Sequence, residues 1–226
     1  MTTPSQTLPS AILLDLDGTL IDSLEDIARS VDFVRSEFGL DPLGSDGVKP
    51  LIGRGLAALL ADALAEASGG EIATEEQIRS GVRLYDDHHG DHLLTATEPY
   101  PEVEQILRSW HDDGHRLAVV TNKPERFAVT LVEAFGWQGM LEVVIGGDTT
   151  TRKKPHPDPL HLALDRLGSK AEDAVMIGDS APDVLGGRNA GTMTVAVTYG
   201  FTERAHLEAL EPDLLWDRFG GPWPGE

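Results

Sequence analysis

The sequence contains no cysteine among its 226 residues. This excludes disulfide bonds, thiolate metal ligands and thiol catalysis, and we expect a cytoplasmic protein. Basic residues are also scarce, because 18 Lys and Arg stand against 38 Asp and Glu, a net charge of −20. So acidic a chain is not expected to bind nucleic acid or an anionic membrane. A small anionic ligand would need positive charge concentrated at its binding site.

Long apolar runs are missing as well. The first ten residues, MTTPSQTLPS, are polar and have no basic segment. We therefore expect neither a signal peptide nor a membrane span. The length allows one large domain with an insertion, or two small domains. The oligomeric state is left open by the sequence.

Short runs rich in Val, Ile and Met alternate with helical patterns in the second half of the chain. The runs are HRLAVVT (115–121), LEVVIGG (141–147), DAVMIGD (173–179) and MTVAV (193–197), and the opening AILLDLD (11–17) shares their composition. Strands that alternate with helices predict a parallel sheet covered on both faces. We predict an α/β fold with a Rossmann-like, doubly wound parallel sheet as its core.

Residues 22–94 have a different pattern, with apolar stripes at helical spacing and no strand pattern. One stripe runs from Leu24 to Phe38, a second from Leu56 to Leu64, and a third from Ile78 to Tyr85. The simplest architecture is an α-helical cap inserted after the first strand. We therefore predict a catalytic core of residues 1–21 and 95–226 and a cap of residues 22–94.

Polar side chains follow four of the predicted strands. In a parallel α/β sheet, ligands bind at the carboxyl ends of the strands. The residues expected at this edge are Asp15, Asp17, Gly18 and Thr19 after the first strand, Thr121 and Asn122, Lys154 in TRKKPHPDP, and Asp179, Ser180 and Asp183.

Three carboxylates close together repel one another unless a cation lies between them, and all-oxygen ligands suit Mg²⁺. Mg²⁺ and Lys154 would reverse the local sign of the charge and attract a phosphate dianion. One aspartate can attack phosphorus and form an aspartyl-phosphate, while a second protonates the leaving oxygen. The pattern therefore indicates phosphoryl chemistry.

The segments DLDGTLID, VVTNK, KKPHPDP and GDSAPD, in this order, resemble the four signature motifs of the haloacid dehalogenase superfamily. The resemblance implies that Asp15 is the nucleophile and Asp17 the general acid/base. It implies that Asp15, the backbone carbonyl of Asp17 and Asp179 hold Mg²⁺. The implied substrate-binding residues are Gly18, Thr19, Thr121, Asn122 and Lys154, and Ser180 and Asp183 would orient the groups around the metal.

Within the superfamily the chain is most similar to bacterial phosphoglycolate phosphatases, through DGTLIDS, PLIGRGL, VIGGD followed by KKPHPDPL, and TYGF. This implies a Mg²⁺-dependent phosphomonoester hydrolase for 2-phosphoglycolate. Arg54 in IGRGL would reach the substrate carboxylate from the cap, or it is an ordinary turn residue. Three alternatives stay open: another small phosphate ester such as a sugar phosphate, a phosphonate hydrolase that uses Lys49, and a catalytically silent binding module.

Two charged segments have simpler interpretations. His88 and His92 in DDHHGDH are spaced for one helix face, but Gly90 weakens that helix and no third metal ligand is obvious. We expect a solvated face of the cap there. Arg152 and Lys153 are expected to face solvent or merely to add to the local positive field.

Overall fold

The computed structural model describes residues 9–65 and 73–223. The strands in these ranges are β1 (Ala11–Leu14), β2 (Ile21–Asp22), β3 (Glu98–Pro99), β4 (Arg116–Val120), β5 (Leu141–Ile145), β6 (Ala174–Gly178), β7 (Met193–Val197) and β8 (Leu214–Trp216). The helices are α1 (Leu24–Glu37), α2 (Gly44–Val48), α3 (Leu56–Ala63), α4 (Glu75–His92), α5 (Val103–Asp112), α6 (Glu125–Ala134), α7 (Asp158–Leu167), α8 (Ala181–Ala190) and α9 (Arg204–Ala209). Short 3₁₀ helices cover Lys49–Leu51 and Ala171–Asp173.

A six-stranded parallel sheet forms the core, with the strand order β5-β4-β1-β6-β7-β8. All four residues of β1 are buried. Ile12 and Leu14 join the apolar core on one face of the sheet, and Ala11 and Leu13 join the core on the other face. A strand covered on both faces reads as a continuous apolar run, as this one does. The predicted α/β fold with a doubly wound parallel sheet is confirmed.

Helices α1 to α4 lie in the chain between β2 and β3, which pair antiparallel with Ile21 opposite Pro99. Helix α4 packs against α1 and α3. The helices predicted for residues 22–94 are therefore present. The division into core (1–21 and 95–226) and cap (22–94) stays a prediction, and the β2–β3 pair lies close to both of its boundaries.

A buried carboxylate ties the start of this insertion to its end. Asp26 in α1 has no exposed surface, and its Oδ2 accepts hydrogen bonds from Ala96 N at 2.8 Å, Thr97 N at 2.9 Å and Thr97 Oγ1 at 2.8 Å. Three donors compensate for the loss of water around the carboxylate. These hydrogen bonds therefore join the first helix of the insertion to the segment that follows its last helix.

Helix α4 continues through Gly90 to His92. The expectation of a solvated face over residues 86–92 is wrong for His89, which is fully buried with its Nδ1 3.0 Å from Ser30 Oγ. The rings of His88 and His92 stack with centroids 4.2 Å apart. These histidines belong to no metal-competent group in the described ranges. Across the same ranges, no helix is both long and apolar enough to cross a membrane.

Candidate active site

Three neighbouring strands place polar residues at one edge of the sheet. Leu14, the last residue of β1, lies beside Val119 of β4 and Ile177 of β6. The chain continues from these strands into Asp15, into Thr121 and Asn122, and into Asp179. The predicted convergence of these residues follows from the parallel register, because neighbouring strands run in the same direction and end at the same level.

Asp15, Asp179 and Asp183 form a buried carboxylate cluster. Each offers an oxygen atom within 4.8 Å of the other two. Asp183 belongs to the first turn of α8, where its Oδ2 accepts hydrogen bonds from the backbone N–H of Ser180, at 3.0 Å, and from the Ser180 hydroxyl. This capping box holds Asp183 in place beside the ends of β1 and β6.

The electrostatics of the cluster favour an added cation. Burial and the neighbouring Asp183 raise the pKa of Asp15 to about 7, although Lys154 opposes the shift. Burial and Asp183 also raise the pKa of Asp179 well above its ordinary value. Both pKa shifts mean that desolvation and repulsion between the carboxylates destabilise their ionised forms. A nearby positive charge would stabilise these forms.

Lys154 supplies part of that charge. It is 2% exposed, and its Nζ lies 2.6 Å from Asp183 Oδ1 and 3.1 Å from Asp15 Oδ1. Burial alone would lower the pKa of Lys154, but Asp15 and Asp183 outweigh it and the pKa is raised. The contact with Asp15 lacks hydrogen-bond geometry, and Asp15 Oδ1 is a buried oxygen with no hydrogen-bond donor in the described residues.

The cluster fits a hard metal ion. The donors are all oxygen, which is the donor set that Mg²⁺ prefers. Asp15 Oδ1 accepts no hydrogen bond from the described residues. In contrast, Asp183 Oδ1 accepts a hydrogen bond from Lys154, and Asp183 Oδ2 accepts one from Ser180. Asp179 Oδ2 also accepts a hydrogen bond, from Phe201 N at 2.7 Å, so Asp15 Oδ1 is the oxygen of the cluster that gains most from a cation. The prediction that Asp15, the Asp17 carbonyl and Asp179 are the ligands stays a prediction.

Asp17 is held by two side chains. Ser23 Oγ donates a hydrogen bond to Asp17 Oδ1 at 2.6 Å, and Lys123 Nζ lies 3.0 Å from the same oxygen. Lys123 was not among the predicted site residues, although it directly follows Thr121 and Asn122 in VVTNK. The only sequence signal was that adjacency. Lys123 is 8% exposed, so this ion pair is shielded from most solvent.

Gly18 and Thr19 face the carboxylate cluster and are not among the residues that line the cavity. Gly18 has φ +79°, and a Cβ there would come within 2.3 Å of Asp179 Oδ2. Thr19 Oγ1 lies 3.5 Å from Asp179 Oδ1 and has no exposed surface. Both residues support Asp179 in this structure, and their predicted contact with substrate stays a prediction.

The side-chain amide of Asn122 joins two loops. Its Nδ2 donates hydrogen bonds to Gly53 O at 2.9 Å and to Lys154 O at 3.0 Å. Both amide hydrogens are therefore used inside the protein, and the buried Oδ1 has no donor in the described residues. Thr121 Oγ1 accepts a hydrogen bond from Lys123 N at 3.2 Å.

Arg54 lies at the surface in this structure, which fits the second of its two interpretations, an ordinary turn residue. Its guanidinium pairs with Asp62 at the surface, with about 59% of the side chain exposed. Its neighbours Gly53 and Gly55 line the cavity beside the cluster, but Arg54 does not. The backbone turn between the two glycines directs this side chain away from the site. A contact between Arg54 and a substrate carboxylate stays a prediction.

A cavity of about 470 Å³ opens beside the cluster and lies between the core and the insertion. Its core residues include Asp15, Asp17, Thr121, Asn122, Lys123, Asp179 and Ser180, and its insertion residues include Ile27, Asp46, Lys49, Ile52, Leu59 and Tyr85. A volume of this size accommodates a small molecule. The insertion therefore forms one wall of the space in which a substrate would lie.

The doubly wound parallel sheet, the aspartates at its strand ends and the helical insertion that covers them define a class of hydrolases whose chemistry uses carboxylates. The chain belongs to the haloacid dehalogenase-like hydrolase family, whose model matches residues 12–197.

Relatives and solved structures agree with this membership. The chain is 34% identical over 207 residues to a phosphoglycolate phosphatase of Haemophilus influenzae, covering 91% of this chain and 92% of the relative. It is 36% identical to phosphoglycolate phosphatase 1 of Pseudomonas aeruginosa, covering 93% of this chain and 77% of the relative. The crystal structure of a predicted phosphoglycolate phosphatase from Haemophilus somnus 129PT superimposes with a TM-score of 0.86 at 29% identity, covering 95% of this chain and 96% of that one.

Proposed function

We propose that this enzyme is a Mg²⁺-dependent phosphomonoester hydrolase that acts on a small phosphorylated metabolite through an aspartyl-phosphate intermediate. The observation that carries the proposal is the position of Asp15. Its carboxylate follows the central strand β1, belongs to the metal-competent cluster and lines the cavity. A carboxylate in that position can meet both a metal ion and a phosphoryl group.

Asp15 is the proposed nucleophile. One of its oxygens attacks phosphorus, a bond forms between that oxygen and the phosphorus, and the bond from phosphorus to the leaving oxygen breaks. Asp17 carries a proton on Oδ2, the oxygen that Ser23 and Lys123 do not contact, and gives it to the leaving oxygen. Asp17 then takes a proton from water, and the water oxygen attacks the phosphorus and releases phosphate and free Asp15. Lys123 and Ser23 support this role by holding Asp17 at the cavity.

Residues around the two aspartates neutralise and orient the phosphoryl group. When bound beside Asp15 and Asp179, Mg²⁺ supplies charge neutralisation to the phosphoryl oxygens. Lys154 adds a buried positive charge next to Asp15. Thr121 offers a hydroxyl at the same edge, and Asn122 holds the Lys154 loop against it. Ser180 and Asp183 orient the groups around the metal from the start of α8.

The proposed substrate is 2-phosphoglycolate. Relatives with 34–36% identity over more than nine-tenths of this chain carry the name phosphoglycolate phosphatase. A cavity of about 470 Å³ has room for a small ester of this kind. A sugar phosphate is the alternative substrate that fits the same cavity and mechanism.

The test is a screen of small phosphate esters with Mg²⁺ and with excess chelator, on the wild type and on Asp15→Asn. We expect turnover that is lost in chelator, restored by Mg²⁺, and absent in Asp15→Asn. Mass spectrometry of the quenched reaction should find the phosphoryl group on the peptide that contains Asp15. Full activity in excess chelator, or turnover by Asp15→Asn near the wild-type rate, would contradict the proposal. A sugar phosphate that outperforms phosphoglycolate would overturn the substrate alone.

A further inference from the structure

Lys49 places a positive charge in the wall of the cavity that the insertion forms. It begins the 3₁₀ helix Lys49–Leu51 and is half-buried. It lines the cavity together with Asp15 and Asp17. Its side chain has no ion pair and no hydrogen bond with any other residue in 9–65 and 73–223. A half-buried ammonium without a protein partner is available to an anion.

The segment that carries Lys49 is fixed against the core. Gly53 O accepts a hydrogen bond from Asn122 Nδ2 at 2.9 Å, directly beside the proposed phosphoryl site. Gly53 and Gly55 have φ values of +107° and +88°, and a Cβ on Gly55 would come within 2.6 Å of Lys153 Nζ. Side chains at these positions would strain the backbone or push the segment away. The two glycines therefore let residues 49–55 lie close to the reacting groups.

Among the described residues that line the cavity, Lys49 and Lys123 carry ammonium groups, and His206 adds an imidazole. Asp15, Asp17, Asp46, Asp179 and Glu203 are all acidic. Lys123 also lines the cavity, but its ammonium pairs with Asp17 at 3.0 Å. A substrate with a second anionic group would be repelled by this lining unless a cation offset the repulsion.

We propose that Lys49 binds the carboxylate of the leaving group and thereby selects anionic phosphomonoesters over uncharged ones of the same size. The inference rests on the proposed phosphatase function and names the residue that sets its substrate preference. Lys49 is a specificity residue in this proposal, because it touches the part of the substrate that does not react. This is the role that one of the two interpretations of Arg54 assigns to that residue.

The test compares two substrates of nearly equal size, 2-phosphoglycolate and 2-hydroxyethyl phosphate, which carries a hydroxymethyl group in place of the carboxylate. Steady-state kinetics are measured for the wild type, Lys49→Met, Lys49→Arg and the exposed matched control Lys170→Met. Loss of a charge-assisted hydrogen bond reduces binding by roughly 10- to 150-fold. We expect Lys49→Met to lower kcat/KM for phosphoglycolate by that factor, mainly through KM. The value for 2-hydroxyethyl phosphate should change by less than about twofold, and Lys49→Arg should keep most of the preference. Thermal unfolding of each variant checks that the fold is intact.

Other results would overturn the inference in distinguishable ways. Equal losses on both substrates would mean that Lys49 has a structural role. An unchanged preference in Lys49→Met would mean that a different group binds the carboxylate, and Arg54→Ala is then the variant to compare. Wild-type enzyme that hydrolyses neither these two esters nor any sugar phosphate in the screen would overturn the proposed function itself. Borohydride inactivation in the presence of phosphonoacetaldehyde, with the label on the peptide that contains Lys49 and not on the one that contains Lys123, would identify Lys49 as an imine-forming lysine of a phosphonate hydrolase.

Discussion

Replacing Lys154 with Met tests whether one buried cation holds the carboxylate cluster together. The Nζ atom lies 2.6 Å from Asp183 Oδ1 and 3.1 Å from Asp15 Oδ1, and the residue is 2% exposed. At an effective dielectric constant of about 20, unit charges at these distances attract each other by roughly 5–6 kcal/mol. Desolvation of the ions offsets part of this attraction. Removing one partner of a buried pair costs about 3–5 kcal/mol, because the other charges stay buried without compensation.

The free energy of unfolding should therefore fall by about 3–5 kcal/mol in Lys154→Met, measured by urea unfolding in the presence of chelator. Lys153→Met is the matched control. Lys153 is half-buried and has no ion pair within the described residues, so its replacement should cost less than about 1 kcal/mol.

Adding Mg²⁺ should stabilise Lys154→Met more than it stabilises the wild type. The variant has lost a positive charge beside Asp15 and Asp183, so the metal ion relieves a larger repulsion there. If Lys154→Met lowers the free energy of unfolding no more than Lys153→Met does, the argument that Lys154 offsets the repulsion in the cluster is refuted. Equal stabilisation of both proteins by Mg²⁺ would refute the argument that the cation and the metal act on the same carboxylates.

Three further predictions follow from the site and the insertion. Asp17→Asn should still bind substrate, but its turnover should be slower by about 10²–10⁴-fold, because the leaving oxygen loses its proton donor. Pre-steady-state kinetics with a poor and a good leaving group measures the rate of leaving-group departure. Lys123→Met should lower kcat by about tenfold or more with little change in KM, since Asp17 loses the ion pair that holds it, and Lys123→Arg should restore much of the loss. Burial and the nearby Lys123 lower the pKa of His89 to about 2. Below a pH of about 6.5 the unfolded chain binds a proton at this residue that the folded chain does not. When the pH is lowered to 5, the free energy of unfolding of the wild type should therefore fall by about 2 kcal/mol more than that of His89→Gln.

Each of these has a result that would contradict it. An Asp17→Asn enzyme equally slow with both leaving groups would argue against proton donation by Asp17. A Lys123→Met variant with raised KM and unchanged kcat would show that Lys123 binds substrate and does not hold Asp17. Parallel pH–stability curves for wild type and His89→Gln would show that His89 takes up its proton in the folded protein as well.

The sequence alone was sufficient for the fold and for the residues at the edge of the sheet. Strands such as AILL and AVMIG are short and apolar, and the helices between them repeat at helical spacing. Both are local patterns that depend on few neighbours. Parallel strands end at one edge, so residues that directly follow them, such as Asp15, Thr121 and Asp179, must come together whatever the details of packing.

Only the tertiary structure decided where the longer side chains lie. Lys123 contacts Asp17 across more than one hundred residues of chain, and no periodic pattern marks such a contact. Arg54 pairs with Asp62 because the Gly53–Gly55 turn directs it outward, whereas Lys49, a few residues earlier, lines the cavity. His89 is buried although it stands in a run of polar residues. Lysine, arginine and histidine tolerate both solvent and burial, so their positions depend on partners that only the folded chain brings near.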